Sequence, residues 1–294
     1  MNYVTIMSHI SFAKDKFIPT SEVSLSISDN FLSVIRGYQV FTFLKTVNGG
    51  KPVFLDHHLD RVLSNAQTMN MIVKQSREEI NDIINETLNH NNFNESECNL
   101  MILFAGTKAT DTSGLISDSP VDLFVIITPI KICPEKYYQE GIAIGCFEDK
   151  RSNDGELKAP YNYFGGLKAQ QALVQNGEYD EALYISNNKI LEGTTFSFFA
   201  VENDGKIITP KADGKILRSI TRLALLNIFK EQKIHAEETN MFIDSISSYK
   251  EAFIASSNRG VIPVISIDGN MVGNGQVGDV TKQVMALYAE AINF

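Results

Sequence analysis

A β-rich run, Val40-Phe41-Thr42-Phe43-Leu44-Lys45-Thr46-Val47, stops on Asn48-Gly49-Gly50-Lys51. Asn-Gly tolerates the positive φ that tight hairpins need. Residues 40–47 therefore read as a strand, and residues 53–55 as its returning partner. From Leu59 the period changes: Leu59, Val62, Leu63, Ala66 and Met69 fall three and four apart, and the polar Asn70 interrupts that face near its end. This spacing gives one apolar helix face. Strand patterns and helix patterns succeed one another along the rest of the chain, so the expected class is α+β.

Further elements follow from the same rules. Residues 4–12 and 22–27 alternate in part, as half-buried strands do. Ser76 with Glu79 three residues on reads as the capping box of a helix running towards Leu88. Residues 89–97 are a polar loop. Residues 100–104 and 123–128 are apolar, β-rich runs, and the Thr, Ser, Asp and Gly of 106–120 predict a mobile loop between them. Residues 129–134 break the pattern and place a boundary there. The expected organisation is an N-terminal α/β domain over 1–130, a linker over 131–137 and a C-terminal domain over 138–294. In the second part we expect a strand at 142–147 and a helix at 164–175 closed by Gly177. Hairpins are expected around Ser186-Asn187-Asn188 and Asn203-Asp204-Gly205, a helix at 219–230, strands at 251–255 and 261–267, and a terminal helix at 278–291.

Composition excludes several function classes. With 294 residues, 44% hydrophobic and 21% charged, the chain can bury a sizeable core. Its net charge of −9 argues against nucleic acid and against an anionic membrane surface. No run of about 18 apolar residues is present to span a bilayer. The start, Met1-Asn2-Tyr3-Val4-Thr5, has no secretion-signal pattern. Cys98, Cys133 and Cys146 are odd in number and unpatterned. They suggest a cytoplasmic, reducing setting without disulfides or zinc. Phosphate-loop (GxxxxGK), HExxH and GxSxG motifs are all lacking. His57 and His58 are adjacent but have no third ligand at metal spacing, so no metal is expected.

The most informative stretch runs from Lys158 to Gly193. It contains Lys158-Ala159-Pro160-Tyr161-Asn162-Tyr163, then Glu178-Tyr179-Asp180-Glu181-Ala182-Leu183-Tyr184-Ile185, then Leu191-Glu192-Gly193-Thr194. Three further blocks are His58-Leu59-Asp60-Arg61 after the 40–49 hairpin, Leu217-Arg218-Ser219-Ile220-Thr221-Arg222, and Glu251-Ala252-Phe253 with Pro263-Val264. Together, in this order, they resemble the class IV, or fold type IV, pyridoxal-phosphate enzymes. That family includes branched-chain and D-amino acid aminotransferases and aminodeoxychorismate lyase.

The resemblance implies a two-domain fold type IV enzyme, with an N-terminal α/β sandwich and a barrel-like C-terminal domain that binds pyridoxal 5'-phosphate. The cofactor's aldehyde needs an amine, which only lysine supplies. By motif position that lysine is Lys158, which would also move the substrate's α-proton. Glu192 is implied as the carboxylate facing the pyridine nitrogen, and Tyr163 as the tyrosine near the phenolic oxygen. Arg61 would grip the phosphate with its guanidinium. Ile220 and Thr221 would offer a helix start, where free N–H groups favour an anion. Helix capping is the rival role for Thr221, and a simple turn the rival for Ser256 and Ser257, which would otherwise add hydroxyl donors.

Three places depart from the family pattern. Phe196-Ser197 replaces the usual Ser-Asn after the acidic residue, Ser219 replaces a glycine, and Thr42 replaces the acidic residue after the aromatic. Arg36, Phe41 and Lys108 are expected near the substrate. The implied reaction is an aminotransferase exchange between an amino acid, branched-chain-like or D, and a 2-oxo acid, in a homodimer. The alternatives on the same residues are a lyase that releases pyruvate and p-aminobenzoate, and a relative that binds a metabolite without turnover.

Overall fold

The computed structural model describes residues 9–91, 97–149, 151 and 154–293. The chain divides into two compact units. The first comprises residues 1–131 and 158–161, and the second 132–157 and 162–294.

The first unit is built on a six-stranded antiparallel sheet: β1 (Ile10–Ala13), β2 (Lys16–Pro19), β3 (Gln39–Val47), β4 (Lys51–Pro52), β5 (Cys98–Ala105) and β6 (Asp122–Pro129). The spatial order is β2-β1-β6-β5-β3-β4. Its helices are α1 (Phe31–Arg36), α2 (Leu55–Thr68) and α3 (Arg77–Asn89). Strand β3 alternates strictly, burying Val40, Thr42, Leu44 and Thr46 on one face. Helix α2 lies against β3 and buries Leu59, Val62 and Ala66. Burial of Leu59 and of Val62 contributes about 1.5–3 kcal/mol each. The α3 capping box forms as its sequence demands, with Ser76 and Glu79 each bonding the other's N–H.

The hairpin after β3 is tight, with Asn48 at φ 48° and Gly49 at φ 78°. The returning strand is Lys51–Pro52, not residues 53–55. Phe54 adopts a left-handed φ of 53°, which ends the extended chain and lets α2 start at Leu55. The strand expected at 22–27 does not form. Thr20–Glu22 is a 3₁₀ turn and the segment after it pairs with no strand. Of the strand expected at 4–12, residues 4–8 lie outside the described residues, as do 92–96 of the expected polar loop. Residues 106–120 carry no regular structure but are organised around one side chain. The Asp111 carboxylate accepts from the N–H groups of Ser113, Leu115 and Ile116 and from the Ser113 hydroxyl.

The second unit holds a ten-stranded mixed sheet. Its strands are β7 (Ile142–Glu148), β8 (Glu181–Ser186), β9 (Lys189–Gly193), β10 (Ser197–Val201), β11 (Ile207–Pro210), β12 (Ala236–Thr239), β13 (Met241–Phe242), β14 (Glu251–Ser256), β15 (Gly260–Ile267) and β16 (Asn270–Met271). The order is β12-β11-β10-β14-β15-β7-β8-β9-β13, with β16 beside β15. Strand β9 also approaches β10 and β11, so the sheet curls like a barrel. Ile144, Leu183, Phe198, Ile254 and Ile262 fill its interior.

Helices α4 (Glu135–Gln139), α5 (Tyr163–Ala169), α6 (Ile220–Glu231) and α7 (Asp279–Asn293) complete this unit. The helix expected at 164–175 is α5 followed by a π turn at Gln170–Val174. Buried Glu251 holds the start of α7 through the N–H groups of Val280 and Thr281 and the Thr281 hydroxyl.

Candidate active site

Each unit carries its own cluster of the residues that the motifs single out. In the first unit β4 pairs only with Thr46 and Val47 at the far end of β3. Nearer its start the β3 edge takes another segment: Phe41 N–H donates to the Lys158 carbonyl at 3.0 Å. This fixes the register of the lysine. Its Nζ stands 5.5 Å from the centre of the Phe41 ring, within the range of a cation–π contact.

On the other face of β3, Thr42 is fully buried. Its Oγ1 lies 2.8 Å from Arg61 Nη2 and 2.6 Å from His58 Nδ1. His58 and Arg61 stand three residues apart on α2 and so share one helix face. Burial pushes the His58 pKa well below the usual imidazole value, and the charges of Arg61, Lys158 and His57 push it the same way. His58 is therefore a neutral imidazole at physiological pH. Neither it nor Thr42 is singled out by the sequence as a member of this cluster. The partner is 16 residues distant, and only the exchange of an acidic residue for Thr42 hinted at it.

Arg36 ends α1, exposed, with its guanidinium 5.4 Å from the centre of the Phe31 ring. Gly37 caps that helix at φ 70°. Lys108 forms an exposed ion pair with Asp29 at 3.7 Å, a contact worth little in water.

In the second unit Glu192 is placed by a bulge. Leu183 pairs with Gly193 and Ile185 with Ile190, so Leu191 and Glu192 together oppose Tyr184. Both are thereby buried, where strict alternation would turn one outward. Glu192 Oε1 accepts from Arg151 Nη1 at 2.8 Å, and Oε2 from the Leu217 N–H at 3.1 Å. Arg151 grips Asp149 with Nε at 3.0 Å and Nη2 at 3.1 Å. Its guanidinium lies 4.2 Å from the centre of the Tyr184 ring.

The side chains of Arg151, Asp149 and Glu192 are each only 8% exposed. Burial works against the charge on Arg151, but Asp149 and Glu192 more than reverse it, leaving its pKa above the usual value. The Tyr184 phenol is pushed up to about 12, chiefly by burial. Arg151, Asp149 and Tyr184 were not singled out from sequence. Tyr163 opens α5, half-buried, and contributes to the field on Tyr184.

A second cluster in this unit surrounds the start of α6. Ser219, not Thr221, caps that helix, accepting from the Arg222 N–H at 3.3 Å. The capping role weighed for Thr221 therefore belongs to Ser219. Buried Thr221 instead places Oγ1 3.2 Å from Ser257 Oγ. Ile220 occupies the first helical position. Ser256 closes β14 opposite Gly260, one residue before the cluster. Arg222 is structural: it bonds Thr209, the Pro210 carbonyl and Glu238, tying α6 to β11 and β12.

Among the described residues no helix is long and apolar enough to cross a membrane. The model of the class IV amino-transferases matches residues 39–267. Over 291 residues the chain is 26% identical to a probable branched-chain-amino-acid aminotransferase of Aquifex aeolicus, covering 96% of this chain and 92% of that one. It is also 26% identical to a D-alanine aminotransferase of Staphylococcus haemolyticus, covering 93% and 94%. A crystal structure of an aminotransferase from Brucella abortus, bound to pyridoxal phosphate, superposes with a TM-score of 0.85 at 20% identity over 97% of this chain and 99% of that one. The fold is therefore fold type IV, and the chain belongs to the class IV aminotransferase family.

Proposed function

We propose that this enzyme, a pyridoxal-phosphate-dependent aminotransferase, works through Lys158, Glu192 and Arg61. It exchanges an amino group between an amino acid, branched-chain or D, and a 2-oxo acid. The donor set fits the cofactor group by group. Lys158 offers an amine. Glu192, ion-paired to Arg151, offers a carboxylate for a pyridinium N–H. Arg61 offers a guanidinium fork, and the start of α6 offers N–H groups beside the Thr221 and Ser257 hydroxyls. When bound, pyridoxal phosphate supplies an aldehyde that condenses with amines and a ring that takes up electron density.

The chain's own residues do the rest. Lys158 carries a proton from and to the substrate's α-carbon. Glu192 holds the proton on the ring nitrogen, and the Arg151–Asp149 pair keeps that carboxylate in place. Arg61, Ile220, Thr221, Ser256 and Ser257 bind the phosphate. Tyr163 serves the phenolic oxygen. Arg36, Phe41 and Lys108 orient the substrate, with Arg36 taking its carboxylate.

The observation that carries this reading is the placement of Lys158. The β3 edge holds its carbonyl, its amine lies over Phe41, and its charge bears on His58. A solvated surface lysine would have none of these ties. Lys158→Ala should lose the visible absorption band of bound pyridoxal phosphate and all turnover. Persistence of either overturns the assignment. A panel of D- and L-amino acids added to the wild-type enzyme identifies the substrate as the one that bleaches the band.

We also propose a cytoplasmic homodimer. The exposed Ile27, Val34, Ile35, Leu115 and Ile116 of the first unit support an association surface. Three free cysteines suit a reducing compartment. Sedimentation equilibrium should return twice the chain mass, and a monomer would refute the dimer.

A further inference from the structure

The hydroxyl of Thr42 has one hydrogen to give and two lone pairs to receive. Complete burial leaves no water to share them. Arg61 Nη2, a donor only, approaches Oγ1 at 2.8 Å and therefore uses a lone pair. A buried hydroxyl hydrogen needs an acceptor, and of the two groups that Oγ1 meets, His58 Nδ1, 2.6 Å away, is the one that can accept it. A histidine that accepts at Nδ1 and is neutral carries its proton on Nε2. The groups that bear on His58 are all basic, namely Arg61, Lys158 and His57, and each opposes a second proton on the ring.

A carboxylate at position 42, as the family pattern has, would meet Arg61 as an ion pair and draw on its charge. A hydroxyl orients the guanidinium without neutralising it. We infer that Thr42 is a positioning residue: one hydroxyl fixes the Arg61 fork for the cofactor phosphate and holds His58 in its Nε2–H form. The inference rests on the assignment of Arg61 to that phosphate.

The test uses the apoprotein, titrated with pyridoxal phosphate and separately with phosphate-free pyridoxal, followed by absorption. Thr42→Val keeps the shape and removes the hydroxyl. It should weaken pyridoxal phosphate about tenfold or more and leave pyridoxal unchanged, while Thr42→Ser restores wild-type binding. Long-range ¹H–¹⁵N spectra of the wild type should show His58 protonated at Nε2 alone, and Thr42→Val should lose that single form. Equal loss of both ligands, no loss of either, or a wild-type His58 protonated at Nδ1 overturns the role of Thr42. Arg61→Ala separates the underlying reading. If it weakens both ligands alike, the phosphate assignment fails, whereas the His58 spectra still decide the hydroxyl geometry.

Discussion

Replacing Arg151 with methionine should be among the most damaging single changes in the second unit, and the damage should depend on pH. The guanidinium sits between Asp149 and Glu192, with all three side chains 8% exposed. Methionine keeps much of the packing against the Tyr184 ring but leaves two buried carboxylates without a cation. Removing one partner of a buried pair costs about 3–5 kcal/mol. For a domain of this size that is a loss of roughly 6–20 °C in Tm. The pH signature follows from the sign of the shift. In the variant, burial without a cation raises both carboxyl pKa values above their unfolded values. The unfolded chain then binds fewer protons than the folded one at neutral pH, so the variant gains stability as the pH falls towards about 4. Urea unfolding of wild type and variant at pH 8 and pH 5 measures this. The gap should be widest at pH 8 and shrink at pH 5, and Arg151→Lys should recover part of it by keeping the charge but not the fork. A gap below about 1 kcal/mol at pH 8, or one that does not narrow on acidification, would refute the idea that Arg151 compensates the two buried carboxylates.

Two other perturbations follow from the same structure. His58 is held neutral well below its ordinary range by burial and by Arg61, Lys158 and His57. The unfolded chain takes up that proton below about pH 6.5 and the folded chain does not, so stability should fall by about 1.4 kcal/mol per pH unit under that point. His58→Gln should flatten this slope in unfolding curves between pH 6.5 and 5, and an unchanged slope would show that another group is responsible. Glu251→Gln keeps the size of the residue that caps α7 but removes the charge at its N-terminus. It should cost about 1–2 kcal/mol in urea unfolding with kcat unaltered, and a cost below a few tenths would show that the neutral amide suffices.

The hairpins were legible in sequence because their signal is local. Asn48-Gly49 and Asn187-Asn188 sit at positive φ as their chemistry allows, and the α3 capping box is written in two residues three apart. Helix α1, six residues long, and β12, four residues long, are too short to show a period. Residues 22–27 carried a strand-like alternation, but a strand needs a neighbour and the fold provides none there. Motif position singled out Lys158, Glu192, Arg61, Thr221 and Ser257. It could not name Arg151, whose bond to Glu192 spans 41 residues and leaves no periodic trace. A motif marks groups chosen for what they touch, whereas the side chains that orient them are chosen by the fold.

The departures from the family pattern show how that choice works. Ser219, where a glycine is usual, accepts from the Arg222 N–H and caps α6, leaving the Thr221 hydroxyl to turn towards Ser257. A glycine would have supplied the turn but not the cap. Thr42, where an acid is usual, divides one hydroxyl between Arg61 and His58. Phe196, where a smaller polar residue is usual, lies with its ring across Gly193. A Cβ at that glycine would come within 2.0 Å of the ring. The bulky aromatic is admissible only because residue 193 has no side chain, and the glycine after Glu192 is then required by packing whatever its backbone angles. In each case the unusual residue has a partner within its own unit. Read residue by residue, these substitutions suggest a lost site; read with their partners, they are local solutions in which the surroundings have adjusted to the change.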